Sequence, residues 1–210
     1  MNFEGLLKLT SNLPCFTTRF LAAGENLAQI RLQIDRWVKD GRLIKLHKGL
    51  YAVAEPYRKV KPEPFSIANA LKSPSYVSMQ SALSWHGLIP EFVSVITSVT
   101  TARPQKIDTP VCRFEYRHIN TDLFWGYQKV QLTNKQEAFV ATAEKALLDL
   151  VHLTPGGDKQ EFLEELRLQN MSKLSKNILW KYAEKTGSPK LKRAALNIAV
   201  ILEQGEGVEL

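Results

Sequence analysis

Gly41-Arg-Leu-Ile-Lys-Leu-His-Lys-Gly-Leu-Tyr-Ala-Val53 directly follows an amphipathic helical stretch, Glu25 to Asp40. Helix, glycine stop, basic strand, tight turn through Lys48-Gly49 and second strand succeed one another, the order a winged helix-turn-helix requires. Such a unit offers one helix shaped for a DNA groove and a charged hairpin that can meet phosphate. At about 100° per residue, Leu27, Ile30, Ile34, Trp37 and Val38 fall on one face of the helix. Gln29, Leu32, Arg36 and Lys39 fall on the opposite face, with Gln33 on its flank. Gly41 ends the helix at the C′ position.

Upstream, Phe3, Leu6, Leu7 and Thr10 recur at helical spacing, and Pro14 ends that element. Thr17 or Thr18 can cap a short helix through Ala23, because a hydroxyl there accepts a free backbone N–H. Gly24 then makes the turn into the longer helix.

Charge is unevenly placed. The 210 residues carry a net +7, and residues 1–60 hold ten Lys/Arg against five Asp/Glu. The first quarter therefore contains most of the excess, which suits a polyanionic partner. Cys15 and Cys112 stand far apart with no CxxC pattern, so neither a disulfide framework nor a zinc site is indicated. Met1-Asn-Phe-Glu-Gly5 lacks the charged and apolar regions of a signal peptide. The most apolar helical stretch, Ala194 to Leu202, is far shorter than the ~20 residues of a membrane span. A cytoplasmic protein without membrane contact is the expectation.

Ala54 to Pro64 holds Pro56, Pro62 and Pro64 with Arg58, Lys59 and Lys61, and reads as a linker. Helices are predicted at 65–71 and, capped by Ser78, at 79–86. Valines 93, 95 and 99 alternate as in a strand, and 113–119 and 127–132 are further strand candidates. Thr142 caps a helix over 143–152, Gly156-Gly157 breaks the chain, and helices follow at 158–169, 172–185 and 189–204. The last has Ser188 as cap and Pro189 at the first helical position. The expected architecture is α+β: a winged helix-turn-helix over 1–60, then a larger α+β domain over 65–210 that ends in helices.

Gln29, Gln33 and Arg36 are residue types that read purine edges through paired hydrogen bonds, and Lys39 suits a phosphate. In the hairpin, Lys45, His47 and Lys48 cluster at the turn, where contacts to phosphate add affinity without sequence information. A merely solvated helix face is the competing reading, and the wing and the local charge excess weigh against it. His47, His86, His118 and His152 have no metal-ligand spacing, and HExxH, GxxxxGK[ST] and GxSxG are all missing. No catalytic residue, metal or cofactor is therefore expected. Asp108, Glu115 and Arg117 caricature a nuclease's carboxylate pattern, against which a strand of alternating charge is the stronger reading. Lys181, Lys185, Lys190, Lys192 and Arg193 form a second basic cluster, read as a solvated helix pair.

The chain resembles the AbiEi family, the antitoxin half of type IV toxin–antitoxin operons. The wing Gly41 to Tyr51 is similar to that family's N-terminal module. Tyr76-Val-Ser-Met-Gln-Ser-Ala-Leu-Ser-Trp-His-Gly-Leu88, Thr100-Thr-Ala-Arg-Pro104, Phe124-Trp-Gly-Tyr127 and Ala141-Thr-Ala-Glu-Lys-Ala-Leu-Leu-Asp-Leu150 resemble its later segments in order. The resemblance covers roughly residues 15–153. It departs at Ala143, where the family usually has proline, a favourable but dispensable residue at a helix start. It implies a non-enzymatic protein that binds double-stranded operator DNA and represses its own operon. It also implies a C-terminal domain that antagonises a cognate nucleotidyltransferase-like toxin without a stable complex. Two alternatives are a winged-helix regulator whose larger domain senses a ligand or partner, and, less favoured, a metal-dependent nuclease.

Overall fold

The structure, a computed structural model, describes residues 1–22, 26–90 and 93–206. Its first part runs α1 (Phe3–Thr10), β1 (Phe16–Thr17), α2 (Thr18–Leu21), α3 (Leu27–Lys39), β2 (Leu43–His47) and β3 (Leu50–Val53). The strands form an antiparallel sheet in the order β1-β3-β2. This is a winged helix. Thr17 caps α2, accepting from the N–H of Phe20 at 3.2 Å. Asn26 caps α3 through the N–H of Ala28 at 2.9 Å, satisfying a donor the helix cannot. The expected helical positions Ala23 and Glu25, and the turn at Gly24, lie outside the described residues. β1 is a strand the sequence reading missed, because two residues are too short for alternation to register. The wing turns at Gly49, whose φ of +80° lies where a side chain would be strained.

Two apolar clusters hold the described residues together. The smaller gathers Leu6, Phe16, Leu21, Ile30, Ile34, Trp37, Leu43, Tyr51 and Val53 under the face of α3 predicted to be buried. In β3 the alternation splits the side chains between both clusters, since successive residues face opposite sides of a strand. Tyr51 and Val53 enter the smaller cluster, whereas Leu50 and Ala52 join the larger one with Leu46. Half-buried Ile44 and Cys15 pack against the same larger cluster. The wing sheet is thus apolar on both sides. Burying a leucine contributes about 1.5–3 kcal/mol, so Leu46 and Leu50 make this seam a substantial attachment.

The stretch expected to be a linker is also tied down. Gln136, only 4% exposed, donates to the carbonyl of Lys61 at 2.7 Å and accepts from the N–H of Glu63 at 2.9 Å. Nearer the wing, the Ala54 N–H donates to the Arg42 carbonyl at 3.0 Å, and Tyr57 packs edge-on against Phe3.

The larger part contains α4 (Pro64–Leu71), β4 (Ser75–Val77), α5 (Met79–Trp85), β5 (Val95–Thr100), β6 (Gln105–Asp108), β7 (Arg113–His118), β8 (Tyr127–Gln131), β9 (Glu137–Ala141) and α6 (Ala143–Leu153). Its six-stranded sheet has the order β6-β7-β5-β4-β9-β8, with β4–β9 and β5–β7 parallel and the other pairs antiparallel. α4 lies on one face, where the Tyr116 hydroxyl donates to the Ala68 carbonyl at 2.7 Å. α5 and α6 cover the other, where Thr97 donates to the Ser78 carbonyl and Arg117 to the Leu153 carbonyl. α7 (Gln160–Glu165), α8 (Lys176–Lys185) and α9 (Pro189–Glu206) follow. Leu179, Ala183, Leu191, Ala194, Ile198 and Leu202 bury their apolar side chains in the larger cluster.

Two predicted helices are shorter than expected. The helix over 158–169 is reduced to α7, and that over 172–185 begins as a helical turn before Ser175 caps α8. Arg167 and Asn170 have φ of +47° and +49°, which an α-helix cannot continue through. β4, β6 and β9 were also missed. β4 spans three residues, all buried, and so presents no apolar–polar alternation.

Candidate nucleic-acid interface and a buried polar cluster

Burial of Ile30, Ile34 and Trp37 fixes which way α3 faces. Gln29, Leu32, Arg36 and Lys39 then stand exposed on its outer side. Gln33 is only half-buried, and its Oε1 is enclosed with no hydrogen-bond partner among the described residues. It is therefore less available than the other four. In the hairpin, Lys45 lies opposite Tyr51 and His47 opposite Leu50, with an irregularity in register between them. Lys45, His47 and Lys48 are all exposed. Arg36, Lys39, Lys45 and Lys48 make no ion pair among the described residues, so their charge is not internally neutralised. Chemically, the surface offers a planar guanidinium, a carboxamide and point-charge ammonium groups. These are the donors that meet base edges and phosphates.

A second constellation lies deep in the larger part, where three of the segments quoted above converge. Lys145 and Asp149, one turn apart on α6, form an ion pair with side chains each 3% exposed. Asp149 also accepts from the Tyr76 hydroxyl at 2.9 Å and from the Ser78 hydroxyl at 2.7 Å. Lys145 Nζ donates to the Tyr76 oxygen at 2.8 Å. Ser78 was expected to cap α5. It holds the cap position, but its hydroxyl goes to Asp149 instead.

Aromatic rings close over the pair. Tyr76 stacks on Tyr127 at 4.5 Å and packs against Phe124 at 5.1 Å, while Lys145 Nζ lies 5.2 Å from the Trp125 ring. Gly126 is required by space, since a Cβ there would come within 2.9 Å of the Lys145 side chain. Burial holds Lys145 below the usual lysine pKa against the opposing pull of Asp149, and pushes Tyr76 far above the usual tyrosine value. Half-buried His152 is likewise held below 6.5 by burial, with Asp149 opposing and Lys190 and Lys145 adding to the depression. A pocket of about 10 Å³ adjoins the pair. Buried and bonded to Tyr76 and Ser78, the pair ties α6 to the sheet. Residue spacing exposed the Lys145–Asp149 interval, but nothing local revealed that it would be buried.

Other predicted groups have structural partners. Asp108 pairs with Arg113 at 2.5 Å, and Glu115 lies 3.6 Å from both Lys106 and Arg117. The carboxylates of the nuclease-like pattern thus sit in ion pairs across and along the strands. Among the described residues, no three His, Cys, Asp or Glu side chains group as metal ligands do. In the C-terminal basic cluster, Arg193 binds Asp158 at 2.8 Å, and Lys190 donates to the Thr154 carbonyl at 2.6 Å. Lys185 lies 4.2 Å above the Trp125 ring. Those three cations anchor α8 and α9 to the rest of the chain. A cleft of about 510 Å³ between α5, β5, β7 and the end of α6 is lined by Gln80, Thr97, Glu115, Arg117 and Leu153, among others. No helix among the described residues is long and apolar enough to cross a membrane.

No curated protein matches the chain. Residues 6–54, which run from α1 to the end of the winged helix, match the model of a family described as a transcriptional regulator, AbiEi antitoxin.

Proposed function

We propose that this protein is an antitoxin that binds the double-stranded operator of its own operon, represses it, and opposes a nucleotidyltransferase-like toxin encoded beside it. The carrying observation is the outer face of α3 in a winged helix, where Gln29, Arg36 and Lys39 stand exposed, next in sequence to a hairpin with exposed lysines. Gln29 and Arg36 are assigned to base edges, with Gln33 at the margin of that contact. Lys39, Lys45, His47 and Lys48 are assigned to phosphates. In this reading residues 1–60 bind DNA and residues 65–210 act on the toxin, the protein works in the cytoplasm, and it is not an enzyme. The family match supports the regulator and antitoxin roles. The similarity of the later segments supports extending the second role to the larger part.

The test uses the full chain in two arms. Binding to the duplex upstream of its own gene is compared with a scrambled duplex at matched salt, where a specific regulator should prefer its site by at least about 10³-fold. Growth is scored on co-expression with the adjacent gene. Equal affinity for both duplexes would overturn the repressor assignment, and failure to rescue growth from a toxic neighbour would overturn the antitoxin assignment.

A second reading, a regulator whose larger part senses a small ligand, is favoured by one observation. The cleft holding Glu115 and Arg117 has the volume of a ligand site and convergent polar groups.

A further inference from the structure

At the centre of the outer face of α3 stands a residue that neither phosphate nor polar base contacts explain. Leu32 is 62% exposed, the highest exposure of any large hydrophobic side chain among the described residues. Taking the buried Ile30, Ile34 and Trp37 as the inner face, about 100° per residue puts Leu32 almost diametrically outward. Its neighbours one turn away on that face are Ala28 and Arg36, both exposed, with Gln29, Asp35 and Lys39 alongside. An apolar centre with Arg36 and Lys39 beside it is complementary to one feature of the major groove. That feature is the 5-methyl group of thymine, the apolar mark on a base edge, flanked by phosphates.

We propose that Leu32 reads a thymine 5-methyl group and so sets part of the sequence preference. This rests on the assignment of α3 to the major groove made above. An isolated exposed leucine is ordinary on a protein surface. What distinguishes this one is its position at the pole of the proposed reading helix, beside the exposed cations Arg36 and Lys39.

The experiment begins with selection of duplexes from a randomised library by the full-length protein. The selected duplex is then remade with each thymine replaced singly by deoxyuridine, which removes the methyl and leaves the hydrogen-bonding edge unchanged. Burial of one methyl group corresponds to about a four-fold change in affinity. One or two replacements should therefore weaken wild-type binding about four-fold. Leu32→Ala should bind the thymine duplex correspondingly more weakly and be indifferent to those same replacements. Because the side chain is exposed, the variant should fold, and Leu32→Gln provides a second with equal expectation of methyl indifference.

If selection enriches a duplex but no thymine shows methyl dependence, or Leu32→Ala retains it, this proposal falls while DNA binding stands. If nothing is enriched, the DNA-binding assignment falls and takes this one with it. Gel filtration separates the remaining case: dissociation of an oligomer by Leu32→Ala without a methyl effect would make the residue a contact between copies of this chain and overturn the proposal.

Discussion

Replacing Lys145 by Met should be among the most damaging single changes in the larger part, and the structure gives the size. The substitution nearly preserves volume, so the loss is electrostatic. It leaves the buried Asp149 carboxylate with only the Tyr76 and Ser78 hydroxyls as donors among the described residues. A charge-assisted hydrogen bond contributes about 1.5–3 kcal/mol, and breaking one side of a buried ion pair costs about 3–5 kcal/mol in all. Against the roughly 5–15 kcal/mol that stabilises a folded protein, that is a large fraction. Urea unfolding followed by tryptophan fluorescence should register it, since Trp125 lies over the pair. The midpoint should fall while the slope stays constant.

A double substitution separates charge from packing. Lys145→Met combined with Asp149→Leu removes both charges and should cost at least about 2 kcal/mol less than the two single changes added together. Two single variants each costing under about 1 kcal/mol, and adding without coupling in the double, would refute the argument that the pair is a low-dielectric unit.

Arg36→Ala should cost about 1–3 kcal/mol on the selected duplex and relax preference at one position, measured by competition at matched salt; unchanged discrimination would take that face of α3 out of the groove. Lys45→Ala with Lys48→Ala should weaken selected and random duplexes alike and lower the salt slope by about one unit per lysine. An unchanged slope would mean that the wing does not touch phosphate. His152 has a folded pKa depressed below 6.5 by burial, so its contribution to stability is present above that value and lost as pH falls below it. Urea midpoints between about pH 7.5 and 5 should therefore decline in the wild type and decline less in His152→Gln; equal declines would assign the effect to other groups.

The arrangement of the wing also governs how the two proposed activities can be separated. Leu46, Leu50 and Ala52 are buried in the larger cluster. Cutting the chain at residue 60 would uncover the apolar surface they fill, so loss of toxin protection in such a fragment would mix misfolding with function. Point substitutions on exposed Arg36, Lys45 and Lys48 in the full chain avoid that ambiguity.

Some of this was written locally in the sequence. The stripe of Ile30, Ile34 and Trp37, the stop at Gly41, the Lys48-Gly49 turn and the capping role of Thr142 depend on residues within about one or two helical turns of one another. Nearest-neighbour sterics and periodicity suffice to predict them. The same periodicity put Gln29, Arg36 and Lys39 on the outer face of α3, where they are exposed. What only the tertiary structure decided involves partners far apart in the chain. Val77 pairs with Val140 across two parallel strands, and β4, with three buried residues, carries no pattern of its own. Lys145 and Asp149 show the limit most clearly. Their spacing is that of an ordinary surface ion pair on a helix, and it becomes a buried one only because Tyr76, Ser78 and Trp125 arrive from distant segments. Burial is a property of the whole packed chain, and one- or two-turn patterns carry no information about which polar residue the rest will cover.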